Sequence, residues 1–129
     1  MKINEKLIPP KLIKLWENSA PTSDFSSQNI TLSSDDYDYL IFVWDSYKGR
    51  NEVCSTFVPK GYGGYLNLAS DYSPGGGAGY YASTYIREAT RNSDTSFTIG
   101  NCYVRYGNQT TRPTASTNII PLVIYGGKF

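Results

Sequence analysis

The side chains able to do chemistry in this sequence are few, and the absences decide as much as the presences. No histidine occurs, which closes off a Ser-His-Asp or Cys-His nucleophile, a histidine metal site and a histidine pH switch. Asp35, Asp36 and Asp38 form the densest carboxylate group. Two carboxylates at the right separation can serve a glycosidase, and several can hold calcium. Their spacing lacks the glycine and distal glutamate of a calcium-binding loop, and Ser33-Ser34-Asp35-Asp36 has the composition of a turn whose side chains bond nearby backbone donors. Gly75-Gly76-Gly77-Ala78-Gly79 approaches a phosphate-cradling loop in glycine content alone. Tyr80 stands where G-x-G-x-x-G needs its third glycine, and no Lys-Ser or Lys-Thr follows, so the segment reads as a flexible loop. No catalytic residue, metal ligand or cofactor is expected.

Cys54 and Cys102 fall inside predicted strands and are too few for a disulfide framework or a zinc site. They read as free thiols, a bridge being available only if their strands are neighbours. The tyrosines offer more. Tyr62, Tyr65 and Tyr72 lie among glycines, where a ring has little local core to pack against. An exposed tyrosine gives a large rigid contact area with a hydroxyl to orient it, which suits recognition of a sugar or a protein. These three are the candidate ligand-binding residues. A second role stays open for them, folding back over a sheet edge or filling a subunit interface. Tyr39, Tyr103 and Tyr125 sit in strand-like runs and read as core or inter-sheet residues.

The elements that must position these residues are strands. Asp38 to Asp45 holds six consecutive residues that leave water, Tyr39 to Trp44, apolar on both parities and rich in β-branched and aromatic types. That run predicts a central strand. Strands are also predicted over Leu12 to Glu17, Gln28 to Leu32, Glu52 to Val58, Tyr80 to Arg91, Ser96 to Tyr106 and Thr117 to Tyr125. Tyr80 to Arg91 also fits a helix by its spacing of four, but no polar face opposes its aromatic one, and strand is the reading adopted. A bulge is expected at Gly100-Asn101, and Pro121 predicts an edge strand or a bulge. Lys48-Gly49-Arg50-Asn51 reads as a hairpin connection. Pro59 to Gly79 and Gly107 to Ser116 read as mostly loop, the first because of its glycines.

At 129 residues the chain is one domain. Its formal net charge of +1, with scattered lysine and arginine, gives no stripe to follow a phosphate backbone or an anionic membrane. Nucleic acid is not an expected partner, and no run approaches the roughly 18 apolar residues of a membrane span. Pro9-Pro10 and the charges around it do not read as a signal peptide. Residues 1–11 are instead expected to be an extended N-terminal arm.

Four pieces of the chain together resemble a family, the C-terminal head domains of phage and prophage tail-fibre, baseplate and other minor structural proteins. They are Leu15-Trp16-Glu17-Asn18 leading to Pro21-Thr22-Ser23-Asp24-Phe25, then Gln28-Asn29-Ile30-Thr31-Leu32, then Asp36-Tyr37-Asp38-Tyr39-Leu40, and the ending Ile119 to Lys128. The resemblance implies a β-sandwich head, a homo-trimer, and a place in the virion, assembled in the bacterial host cytoplasm. Its implied role is adhesion to a host cell-surface glycan or protein at a receptor-binding tip. The glycine and tyrosine segment Gly61 to Gly79 has no counterpart in that pattern. The whole expectation is an all-β, single-domain antiparallel β-sandwich of jelly-roll-like type over residues 12–129, non-enzymatic, with the arm 1–11 contacting other virion proteins. A capsid decoration or head-fibre protein is the alternative within the virion, and a carbohydrate-active enzyme the rival from another class.

Overall fold

The computed structural model describes residues 11–72, 83–107 and 114–129. Nine strands run in chain order as β1 (Ile13–Glu17), β2 (Gln28–Thr31), β3 (Tyr39–Asp45), β4 (Val53–Pro59), β5 (Tyr65–Tyr72), β6 (Ser83–Arg91), β7 (Ser96–Tyr106), β8 (Thr114–Ser116) and β9 (Ile120–Gly127). One sheet has the order β1-β9-β3-β4 and the other β2-β7-β6-β5, with β8 also on β7. All pairings are antiparallel. The protein is an all-β sandwich, as the composition and periodicity predict. Its first and last strands pair with each other in one sheet while β2, between β1 and β3 in the chain, lies in the other, whereas β3–β4 and β5–β6–β7 follow one another as plain antiparallel neighbours.

β3 is interior to its sheet, flanked by β9 and β4. Leu40, Phe42 and Trp44 face the second sheet and are buried, while Tyr39, Ile41 and Val43 form the partly covered outer face. The Phe42 and Phe97 rings meet edge to face at 5.1 Å and so join the two sheets. Leu68, Ile99 and Ile124 complete the centre of the core. Cys54 and Cys102 are free thiols, one on β4 and the other on β7 of the opposite sheet.

The structure corrects four expectations and decides between the two alternatives for Pro121 in favour of the bulge. Tyr65–Tyr72, within the segment read as loop, is a full strand paired along its length with β6, because Leu66 and Leu68 alternate inward and glycine only marks the turn before them. Thr114–Ser116, also read as loop, adds to β7. β9 is not an edge strand. Pro121 is accommodated there at a bulge, where the register moves from Val43↔Val123 to Trp44↔Pro121 and skips Leu122. Tyr103 is 41% exposed, because the bulge at Gly100-Asn101 reverses the parity of β7 and turns Cys102 and Val104 inward in its place. Tyr39 and Tyr125 lie on the outer face of their sheet, half-buried; among the described residues the buried tyrosines are Tyr37 and Tyr85. Residues 1–10 of the expected arm 1–11, the glycine run Gly75 to Gly79 and the first three residues of the predicted strand Tyr80 to Arg91 lie outside the described residues.

Candidate functional site

Two regions present side chains that a partner could use. The first is the end of the sandwich where the chain passes from β4 to β5. Tyr62 N–H bonds the Pro59 carbonyl at 3.1 Å, and Gly61 has φ +86°, so Pro59 to Tyr62 is a tight turn whose third residue needs glycine. Gly63 follows at φ +79°, and a Cβ there would stand 2.7 Å from Val58 Cγ1. The turn is pinned on several sides. Lys60 N–H bonds the Asp38 carbonyl at 2.8 Å, and Arg91 N–H bonds the Gly64 carbonyl at 3.2 Å. Lys60 Nζ reaches the Asp35 carbonyl across the face of Tyr37, 5.0 Å from its ring centre. Tyr37 in turn donates its hydroxyl to the Asp94 carbonyl at 2.6 Å, and burial pushes its phenol pKa up, keeping the proton in that bond.

On this pinned frame Tyr62 and Tyr65 stand 70% and 75% exposed. A tyrosine leaving that much ring in water forgoes the stabilisation of burying it, about 1.5–3 kcal/mol for a large side chain. Tyr72 closes β5 at its far end, seven residues along the strand from Tyr65, and its side chain lies outside the described residues. The carboxylates nearby have local work: Asp36 pairs with Lys128, which holds its carboxyl below the usual range, and Asp38 Oδ2 accepts the Phe129 N–H at 2.9 Å.

The second region is concave and is built from distant parts of the chain. The outer edge of β7 is shared by two short strands, β2 against Ser96 to Ile99 and β8 against Cys102 to Val104. Between them the bulge residues Gly100 and Asn101 are left without a strand partner on that side, and a cleft of about 290 Å³ opens there. Arg87, 1% exposed, forms part of its wall. Its Nε donates to the Ile119 carbonyl at 2.9 Å, and its Nη1 donates to the Phe25 and Gly100 carbonyls at 3.1 and 2.8 Å. Phe25 also lies against the guanidinium, 5.6 Å from ring centre to Cζ. Burial pushes the guanidinium pKa down from its ordinary value, and no carboxylate among the described residues bonds it. Asn18 helps to fix the loop that carries Phe25, donating through Nδ2 to the Pro121 carbonyl at 2.9 Å, and Trp16 meets Phe25 edge to face at 6.0 Å.

No family model matches the chain, and no curated protein matches it. The chemistry of the two regions is therefore read from their geometry. Among the described residues no hydroxyl or thiol of either region bonds a carboxylate: the first offers aromatic surface, the second a buried cation in a mostly apolar lining that includes a few polar residues. Tyr62 and Tyr65 were named by their glycine-rich surroundings; neither lines the Arg87 cleft. Arg87 was not found from sequence. A signal existed, since Ser83, Tyr85, Arg87 and Ala89 share one parity and all face inward, and an arginine in an inward row demands a polar environment.

Proposed function

We propose that this domain is a non-enzymatic recognition module of a phage or prophage virion, acting at a tail-fibre or receptor-binding tip to attach to a host cell-surface glycan or protein. The observation that carries the recognition role is the pair Tyr62 and Tyr65, held far out of the surface on a turn fixed by backbone hydrogen bonds at both of its ends. Rigid aromatic side chains bind with little loss of conformational freedom. The virion setting rests on the sequence resemblance, with which an all-β sandwich agrees. In that setting the domain works as a homo-trimer, which multiplies weak single contacts into firm attachment, and residues 1–11 join it to other virion proteins.

The test uses the purified, fluorescently labelled chain against a panel of bacterial cell envelopes, with a Tyr62→Ala/Tyr65→Ala variant beside it. Saturable binding that the variant loses, without release of sugar from the envelope, is the expected result. Sugar release by the purified protein, or binding unaffected by the double substitution, would overturn the reading. Light scattering at micromolar concentration checks the assembly, where a monomer alone would count against the trimer.

A further inference from the structure

A buried guanidinium without a counter-charge is costly unless its hydrogens are well used. Arginine has five N–H donors. In Arg87 the Nε hydrogen and both Nη1 hydrogens are accounted for by the carbonyls of Ile119, Phe25 and Gly100. Nη2 donates to no group among the described residues. The residue lines the cleft at the β2–β8 gap, whose surface is mostly apolar but which is also lined by the polar residues Ser26, Asn101, Ser116 and Thr117. Hydroxyls and an amide can donate to an oxyanion as the guanidinium does. Asp24 also lines the cleft, but its carboxylate is held by Lys48, so the rim carries a matched pair and not a net negative charge.

We propose that this cleft binds an oxyanion, a carboxylate or phosphate carried on a molecule of monosaccharide size, with Arg87 Nη2 as the donor that meets its charge. The size follows from the volume, about 290 Å³, which is at the lower end of small-molecule sites. Only one edge of the guanidinium is free, so the contact is a single charge-assisted hydrogen bond and not a bidentate fork. Affinity is correspondingly modest, with a Kd of about 1 mM or tighter. The site is separate from the tyrosine turn and stands whether or not those tyrosines bind a host.

The experiment is an NMR titration of the full chain, following the Arg87 Nε–H resonance and the amides of Asn101, Ser116 and Thr117. Glucuronate supplies the carboxylate, glucose 6-phosphate the phosphate, and glucose the neutral control. Saturable shifts at these positions with one or both charged sugars, absent with glucose, are expected, and which sugar acts tells which oxyanion the cleft prefers. Arg87→Lys should abolish the shifts but removes bonds that hold three segments together. Asn101→Asp therefore provides the second arm: it lies on the exposed bulge, keeps the side-chain shape and adds a like charge. It is expected to weaken binding on the order of tenfold. Equal shifts with glucose, no saturation with either charged sugar, or undiminished affinity in a folded Asn101→Asp protein would each overturn the proposal.

Discussion

The tyrosine turn and the arginine cleft solve opposite problems. At the turn, residues 59–65 are contiguous, bonds to Asp38, Asp35 and Arg91 only pin the segment from outside, and the side chains of interest leave the protein. At the cleft, one side chain on β6 reaches carbonyls 62, 13 and 32 positions away in sequence, and it is almost wholly enclosed. The difference teaches where stability and recognition are coupled. Tyr62 and Tyr65 can be removed without leaving any internal group unsatisfied, whereas Arg87 completes the backbone hydrogen bonding of two connections and of the β7 bulge and cannot be removed without exposing them. A binding surface of the first kind is free to vary with its partner. One of the second kind is tied to the fold.

The strongest way to break this contrast is to remove the guanidinium. Arg87→Ala leaves the Phe25, Gly100 and Ile119 carbonyls without their donor and opens a void between the sheets. Each stranded buried polar group costs about 1–3 kcal/mol. Some of that is offset, since an uncompensated buried cation is removed as well. The expected net loss is ~3 kcal/mol, a large part of the 5–15 kcal/mol that holds a domain of this kind folded. Urea denaturation reads it directly, as a fall in midpoint at unchanged slope. A midpoint like that of the wild type would mean that water replaces the side chain at no cost, and the cleft would then be no more tied to the fold than the turn is.

The same contrast explains what the sequence disclosed. β3 was legible because its six apolar residues satisfy the strand pattern on both faces at once, and the antiparallel return through β4 followed from the polar turn between them. The bulge in β7 was legible from Gly100-Asn101. Its consequence was not, because a parity reversal is fixed only when the residues on both sides of the bulge choose the same face, and that choice is made by β6 across the sheet. β5 was obscured by its neighbours: glycines at 61, 63 and 64 lower the apparent order of the whole stretch, although two of them only supply the positive φ of a turn. Pro121 marked its bulge but not its position in the sheet, since a residue without an N–H is equally at ease at an edge and at an irregular step. Of the candidate sites, the tyrosines could be named from local composition. The Arg87 cleft could not, since it exists only where β8 ends, β2 begins and the loop carrying Phe25 leads into β2.

A substitution of intermediate size sharpens the contrast from the other side, by asking how firmly the turn itself is set. Gly63→Ala introduces a Cβ at φ +79° and 2.7 Å from Val58 Cγ1. A left-handed conformation for a residue with a side chain costs about 1 kcal/mol, and the displacement of buried Val58 adds to it. The expected destabilisation is ~2 kcal/mol. Thermal denaturation of the variant measures it, and Gly64→Ala supplies the control: a Cβ at Gly64 meets nothing within 4 Å. Equal stability of the two variants would show that the turn yields easily and does not hold its tyrosines in place.

The smallest expected effect on the fold comes with the largest expected effect on recognition. Tyr62→Ala and Tyr65→Ala together remove two rings that are 70% and 75% exposed, so little apolar burial is lost with them. Tyr65 lies on an edge strand and pairs with Thr90. Alanine there gives up some strand preference, a scale that spans only ~1 kcal/mol from end to end. Substitutions of exposed residues away from buried partners usually stay within about 0.5 kcal/mol, and the double variant is expected to melt within a few degrees of the parent. Its adhesion should nevertheless fall sharply if the rings are contacts, because residues that anchor an interface each contribute about 2 kcal/mol or more to binding. The informative measurement is the pair of values taken on one preparation, melting temperature and envelope binding. A variant that melts far lower would show that the rings pack against a surface and are structural, which would erase the difference between the turn and the cleft. A variant that keeps its melting temperature and loses binding separates the two regions cleanly, since Arg87→Ala is expected to do the reverse to stability and leave the tyrosine surface unchanged.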